Sequence, residues 1–153
     1  MRKLVLLALV LVLAMAAAPA GATPPDDVQF EVETSFLPTG QTGGPFVATG
    51  PAVDSDLMCP SGDTIDVFGK VSAFETGVGF NIQLGKLFTC DDGSGDFVVK
   101  LQIRIDPKGT NFNWVVVNGS GAYERLRGTG SGVGLPDPGA EVLDVYTGKL
   151  HRN

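Results

Sequence analysis

Asp66, Arg104, Asp144 and Tyr146 are the residues of this chain whose types could do acid–base chemistry if their side chains meet inside a fold. A carboxyl group carried into an apolar cavity holds its proton more tightly, and can then give a proton to a substrate or take one away. All four could equally face water. Alternation along a strand shows that neighbours point to opposite sides, but not which side is the interior. The four therefore stand as catalytic candidates with no side of the wall assigned.

Other constellations carry less. Asp92-Gly-Ser-Gly-Asp96 looks like the middle of a calcium-binding helix-loop-helix, but that loop needs oxygen ligands at its first and twelfth positions, which here are Cys90 and Leu101. A hairpin turn is the plainer reading. Asp54, Asp56, Asp63 and Asp66 surround Cys59 and read as a solvated acidic loop sooner than as a chelate. His151 is the single histidine, three residues from the end, which leaves neither a Ser-His-Asp triad nor a multi-histidine zinc site. Asn118-Gly-Ser120 matches a glycosylation acceptor but reads as turn chemistry. No metal and no cofactor are expected.

The elements that must position the candidates begin after residue 22. Met1-Arg-Lys, the apolar run Leu4 to Ala18 and Ala20-Gly-Ala22 have the three parts of a secretory signal peptide, so cleavage after Ala22 and export beyond the membrane are expected. The apolar run is short for a stable membrane anchor, and no second such run follows. Export makes a disulfide between Cys59 and Cys90, the only two cysteines, the natural reading, with two free thiols as the alternative. The formal charge of −6 becomes −8 once Arg2 and Lys3 are removed, which disfavours nucleic acid and anionic membrane surfaces as partners.

Residues 23–27 read as an exposed leader and 28–153 as one domain, punctuated by many of the 21 glycines and 10 prolines. Val28 to Phe36 alternates as a first strand, and Phe46 to Ala52 as a weaker second. Residues 54–63 read as a polar loop. Ile65, Val67, Val71 and Ala73 mark a third strand, and after a turn at Thr76-Gly77 the series Val78, Phe80, Ile82, Leu84 marks a fourth. Phe97, Val99, Leu101, Ile103 and Ile105 face one way on a fifth, with Asp96, Lys100, Gln102 and Arg104 on the other side. Phe112 to Val117 is the sixth, and Glu141 to Leu150 the eighth. Between them Gly128, Gly130, Gly132 and Gly134 occupy every second position, so one face of the seventh strand is bare and a bulky neighbour such as Trp114, or a sharply bent wall, must take the space. Eight short strands without a helical period give an all-β fold, an antiparallel β-barrel or a β-sandwich.

Gly119-Ser120-Gly121-Ala122-Tyr123-Glu124-Arg125-Leu126-Arg127-Gly128 resembles the turn G-[ST]-G-x-[FY]-x-x-x-x-G shared by dirigent proteins and allene oxide cyclases. The resemblance implies closure into an eight-stranded barrel, assigns Gly119, Ser120, Gly121, Tyr123 and Gly128 an architectural role, and makes a homo-oligomer, a trimer in those families, conceivable. It transfers no catalytic residue, and Cys59 and Cys90 have no counterpart in it. Three functions follow as alternatives: binding of a small apolar or phenolic ligand without catalysis, a cyclase or stereochemistry-directing isomerase, and a structural or protein-interaction module with a filled barrel. Inward ionisable groups in an open cavity would favour the cyclase, a cavity without them the binder, and a packed interior the module.

Overall fold

The computed structural model describes residues 24–38, 41–74 and 78–153. The expected signal peptide and cleavage site, and the expected Thr76-Gly77 turn, lie outside the described residues. Eight strands, β1 (Asp26–Phe36), β2 (Thr42–Thr49), β3 (Ser61–Ala73), β4 (Phe80–Cys90), β5 (Asp96–Asp106), β6 (Gly109–Gly119), β7 (Leu126–Leu135) and β8 (Val142–Arg152), follow one another around a closed antiparallel barrel. Closure leaves the barrel without a free first or last strand, because β8 pairs with β1 over Asp26–Thr34. The barrel, and not the sandwich, is the architecture.

Strand direction sorts the connections to two ends. The base carries both chain ends of the barrel, the β2–β3 link, the β4–β5 turn and the β6–β7 turn. The mouth carries the four other connections. A single helical turn, α1 (Pro51–Asp54), caps the base; its Ala52 is buried, as are Leu57, Met58 and Cys59 that follow it. Residues 54–63 are therefore not a polar loop: the stretch holds three buried apolar residues among its acids, and its end already belongs to β3. Likewise β1 starts at Asp26, so Asp26 and Asp27 of the expected leader pair with Leu150 and Lys149.

The Cys59–Cys90 disulfide, with Cα atoms 6.1 Å apart, ties this cap to the base end of β4. The turn motif is fastened nearby. Gly121 has φ 58°, a left-handed conformation open to glycine, and packs on the backbone of Ser94 and Gly95. Ser120 N–H donates to Asp96 O (2.8 Å), and the Tyr123 and Ser94 hydroxyls share a 2.8 Å hydrogen bond. A Cβ on Gly119 would strike the Tyr123 backbone, and one on Gly128 the Leu150 side chain. Tyr123 and Leu126 are buried and anchor the turn in the core. The motif locks the β6–β7 turn onto the β4–β5 hairpin, whose Asp92-Gly-Ser-Gly-Asp96 is a turn in which Asp92 Oδ1 accepts from Ser94 N–H (2.8 Å).

Inside, the lower barrel is filled by aromatic rings. Phe88 stacks on Phe97 with centroids 5.0 Å apart and meets Phe30 and Phe46 edge-on at 5.4 and 5.2 Å. Phe30 in turn stacks on Tyr146 at 4.5 Å. Each such ring contributes on the order of 2 kcal/mol by burial. The bare face of β7 turns inward and is what makes room: a Cβ at Gly130 would stand 2.6 Å from the Trp114 indole, and one at Gly132 would meet the Phe112 ring. The indole N–H donates to the carbonyls of Ser131 (3.1 Å) and Thr147 (3.2 Å), holding the ring flat against β7 and β8.

One irregularity decides which residues of β3 see the interior. The register with β4 shifts between Asp66 and Phe68. Below the bulge Gly62, Thr64 and Asp66 point inward, opposite Cys90, Phe88 and Lys86. Above it Gly69, Val71 and Ala73 do, opposite Leu84, Ile82 and Phe80. An extra residue in one strand exchanges its faces from there on, which is why Ile65 and Val71, of one sequence parity, do not share a side.

Candidate functional site

The strands bring Asp66, Asp144 and Tyr146 to the interior and send Arg104 elsewhere. Asp66 comes from β3 just below the bulge, Asp144 and Tyr146 from successive inward positions of β8. Arg104 lies on the outer wall, more than half exposed. Its Nε is 2.9 Å from Asp106 Oδ2 and its guanidinium stacks over Phe74 at 4.8 Å. It belongs to the outer wall because β5 keeps strict alternation and its odd-numbered residues fill the barrel.

A fourth member was missed on the sequence: Lys86 of β4, 1% exposed. The signal was present, since Phe80, Ile82, Leu84, Lys86, Phe88 and Cys90 share one parity, and a lysine that continues an apolar face must enter the core or end the strand. It enters. Lys86 Nζ lies 2.7 Å from Asp66 Oδ1, so the two charges neutralise each other as an ion pair. The Thr42 hydroxyl donates to Asp66 Oδ2, and the Thr34 hydroxyl donates to Asp144 Oδ2 at 2.9 Å. These threonines come from the mouth ends of β1 and β2, so the cluster spans the lumen between β1, β2, β3, β4 and β8.

The electrostatics are unbalanced by one carboxyl. Lys86 is committed to Asp66, and Asp144 is left as the second acid. Burial lifts the Asp144 carboxyl above the ordinary aspartate range; the Thr34 hydrogen bond and the Lys86 charge oppose that lift, and Asp66 adds to it. Burial likewise raises the Tyr146 phenol well above its usual value, with the charges of Asp144 and Asp66 pushing the same way. Tyr146 stays a neutral O–H donor, and among the described residues its buried hydroxyl has no hydrogen-bond partner.

Above this floor the inner wall is apolar and open. Ile82, Leu84, Ile103 and Ile105 are half-buried, and Val71 and Phe80 are exposed although they point inward. The filled lower barrel thus gives way to an apolar mouth, with Asp66 and Asp144 part-buried at its foot and Lys86 and Tyr146 closed off from solvent beneath them. Such a foot can accept a hydrogen bond and exchange a proton at Asp144, while Tyr146 can donate only to a group that enters the buried layer.

The other candidate groups do not converge on this point. Asp54 and Asp56 belong to the base cap, Asp63 is exposed on β3, and Asp66 is inside the barrel. His151 stands near the base end of β8, opposite Arg127 across the ladder. Among the described residues no helix is long and apolar enough to cross a membrane. No protein-family model, no curated protein and no solved structure matches the chain.

Proposed function

We propose that this protein is an exported barrel that binds one small, largely apolar molecule carrying a hydroxyl or phenol, and releases it unchanged. The observation that carries the reading is the buried Tyr146 hydroxyl, without a partner among the described residues and in the field of Asp144, in the closed layer beneath an apolar mouth. A phenolic O–H is both donor and acceptor, so it can give its proton to a hydrogen bond with Asp144 and receive one from Tyr146. A carboxylate ligand fits worse, because it would meet two carboxyl groups for one lysine. Export is supported by the disulfide, which persists in oxidising compartments. The turn motif's likeness to dirigent proteins and allene oxide cyclases supports the same barrel ancestry.

Titration with an alkylphenol, the alkylbenzene of equal chain length and the corresponding fatty acid, read by native mass spectrometry and calorimetry, tests this. The phenol should bind one-to-one about tenfold more tightly than the alkylbenzene, the worth of one charge-assisted hydrogen bond. Asp144→Asn should reduce that advantage and Arg104→Ala should not. Equal binding of phenol and alkylbenzene would overturn the reading.

A second reading, an isomerase or cyclase, is the one that inward ionisable groups favour, and the raised proton affinity of Asp144 suits a carboxyl group to proton transfer. It stands second because Asp66 and Lys86 occupy each other as an ion pair and Tyr146 keeps its proton, which leaves Asp144 without a second group to return a proton. A bound compound recovered chemically altered, with the change abolished by Asp144→Asn, would put it first.

A further inference from the structure

The barrel is joined unevenly. β2 meets β3 only over Gly43–Val47 and Ser61–Ile65, while β3 continues to Ala73 beside β4. From Val67 to Ala73 every residue of β3 is exposed, and none has a strand partner on the β2 side among the described residues. This stretch, Val-Phe-Gly-Lys-Val-Ser-Ala, is apolar for an edge: Phe68 is 51% and Val71 62% exposed. An extended, open, apolar edge is a template for another strand.

The direction of its free backbone groups is set by the hairpin. Phe74 N–H donates to Gly79 O, toward β4. Alternation then turns Ser72 and Lys70 toward β4 as well, and leaves the N–H and C=O of Gly69, Val71 and Ala73 aimed at the open side.

We propose that this edge pairs with the same edge of a second copy, antiparallel about a two-fold axis at Val71. That register sets Val71 against Val71 of the other copy and Gly69 against its Ala73, which uses the outward-aimed backbone groups of Gly69, Val71 and Ala73. On the outer face it sets Lys70 opposite Ser72 and Phe68 opposite Phe74, so no like charges oppose. Centring on Lys70 would put two ammonium groups face to face, and centring on Gly69 would bring Ala73 to Ile65, which already pairs with β2. Lys70 is the edge's one charge, so self-pairing needs no acidic partner. A closed two-fold contact yields a dimer and leaves no further edge to extend it.

Sedimentation equilibrium of the purified protein should report a dimer, and Val71→Pro should convert it to a folded monomer. Proline there removes an N–H aimed at the partner and none aimed at β4. Near-ultraviolet circular dichroism checks that the barrel persists. If Val71→Pro does not fold, cysteine pairing decides. Val71→Cys should form an intermolecular disulfide under mild oxidation, since directly opposed Cα atoms lie about 5.5 Å apart. Phe68→Cys should not, because its copies would be six residues out of register. A wild-type monomer or trimer, a dimer that survives Val71→Pro, or equal cross-linking at both positions would overturn the proposal.

Discussion

Lys86 and Asp66 form an ion pair at 2.7 Å inside a β-barrel, the lysine 1% exposed and the aspartate still touching the mouth. A lysine is rarely carried into a core unless its charge is matched there. Removing the lysine alone strands a carboxylate. Lys86→Met should therefore destabilise the fold by about 3 kcal/mol, the low end for a broken buried pair because Asp66 keeps partial access to water. Lys86→Met with Asp66→Asn should recover much of that loss. Urea denaturation of the single and double variants measures both, and a double variant no better than the single would show that the pair is not coupled.

The inward face of β7 predicts a graded series. A Cβ at Gly130 would press on the Trp114 indole and on the Thr147 carbonyl, whereas one at Gly134 would meet Thr110 and Val142 carbons at 3.1 Å. Gly130→Ala should cost about 2 to 3 kcal/mol and Gly134→Ala clearly less. Thr129→Val, on the exposed outer face, should stay within about 0.5 kcal/mol. Thermal unfolding of the three variants gives the order, and equal shifts at all three would contradict inward packing of the glycine face.

Asp144 supplies a pH dependence of known sign. Its proton affinity is raised in the folded state, so the native protein holds that proton more tightly than the unfolded chain. The contribution is fully present below the ordinary aspartate value and is lost as pH rises through the raised one. Asp144→Asn removes it, so the variant should gain stability relative to wild type between about pH 3 and pH 7. Denaturation curves of both proteins at the two ends give the difference, and a pH-independent gap would mean that Asp144 is not shifted.

The Cys59–Cys90 bond closes a sequence separation of 31 residues between the base cap and β4. Constraint of the unfolded chain by a loop of that length corresponds to about 3 to 4 kcal/mol. Cys59→Ser with Cys90→Ser should lower stability by that order and loosen the cap over Leu57 and Met58 first. Hydrogen exchange of residues 51–60 in the double variant, compared with β5, reads the cap directly. Uniform loss of protection across the barrel would mean that the bond acts on global stability alone.

Much of the architecture was legible without coordinates. Alternation in Val28 to Phe36 and in Phe97 to Ile105, glycine at every second place from Gly128 to Gly134, and turn residues between the runs specify eight strands, because side-chain period and turn chemistry are local properties. The pairing of Cys59 with Cys90 needed only their being two. The site was less legible. Asp66, Asp144 and Arg104 all sit on alternating strands, yet two point inward and one outward, and period carries no phase. Phase is set when the sheet closes and its larger apolar faces claim the interior. Lys86 lay on the correct parity, but only a neighbour from β3, arriving below a one-residue bulge, makes its burial tolerable. The bulge itself has no local signature in Asp66-Val-Phe68. It exists because the register that seats Asp66 beside Lys86 and the register that seats Val71 beside Ile82 differ by one residue, and the chain must satisfy both.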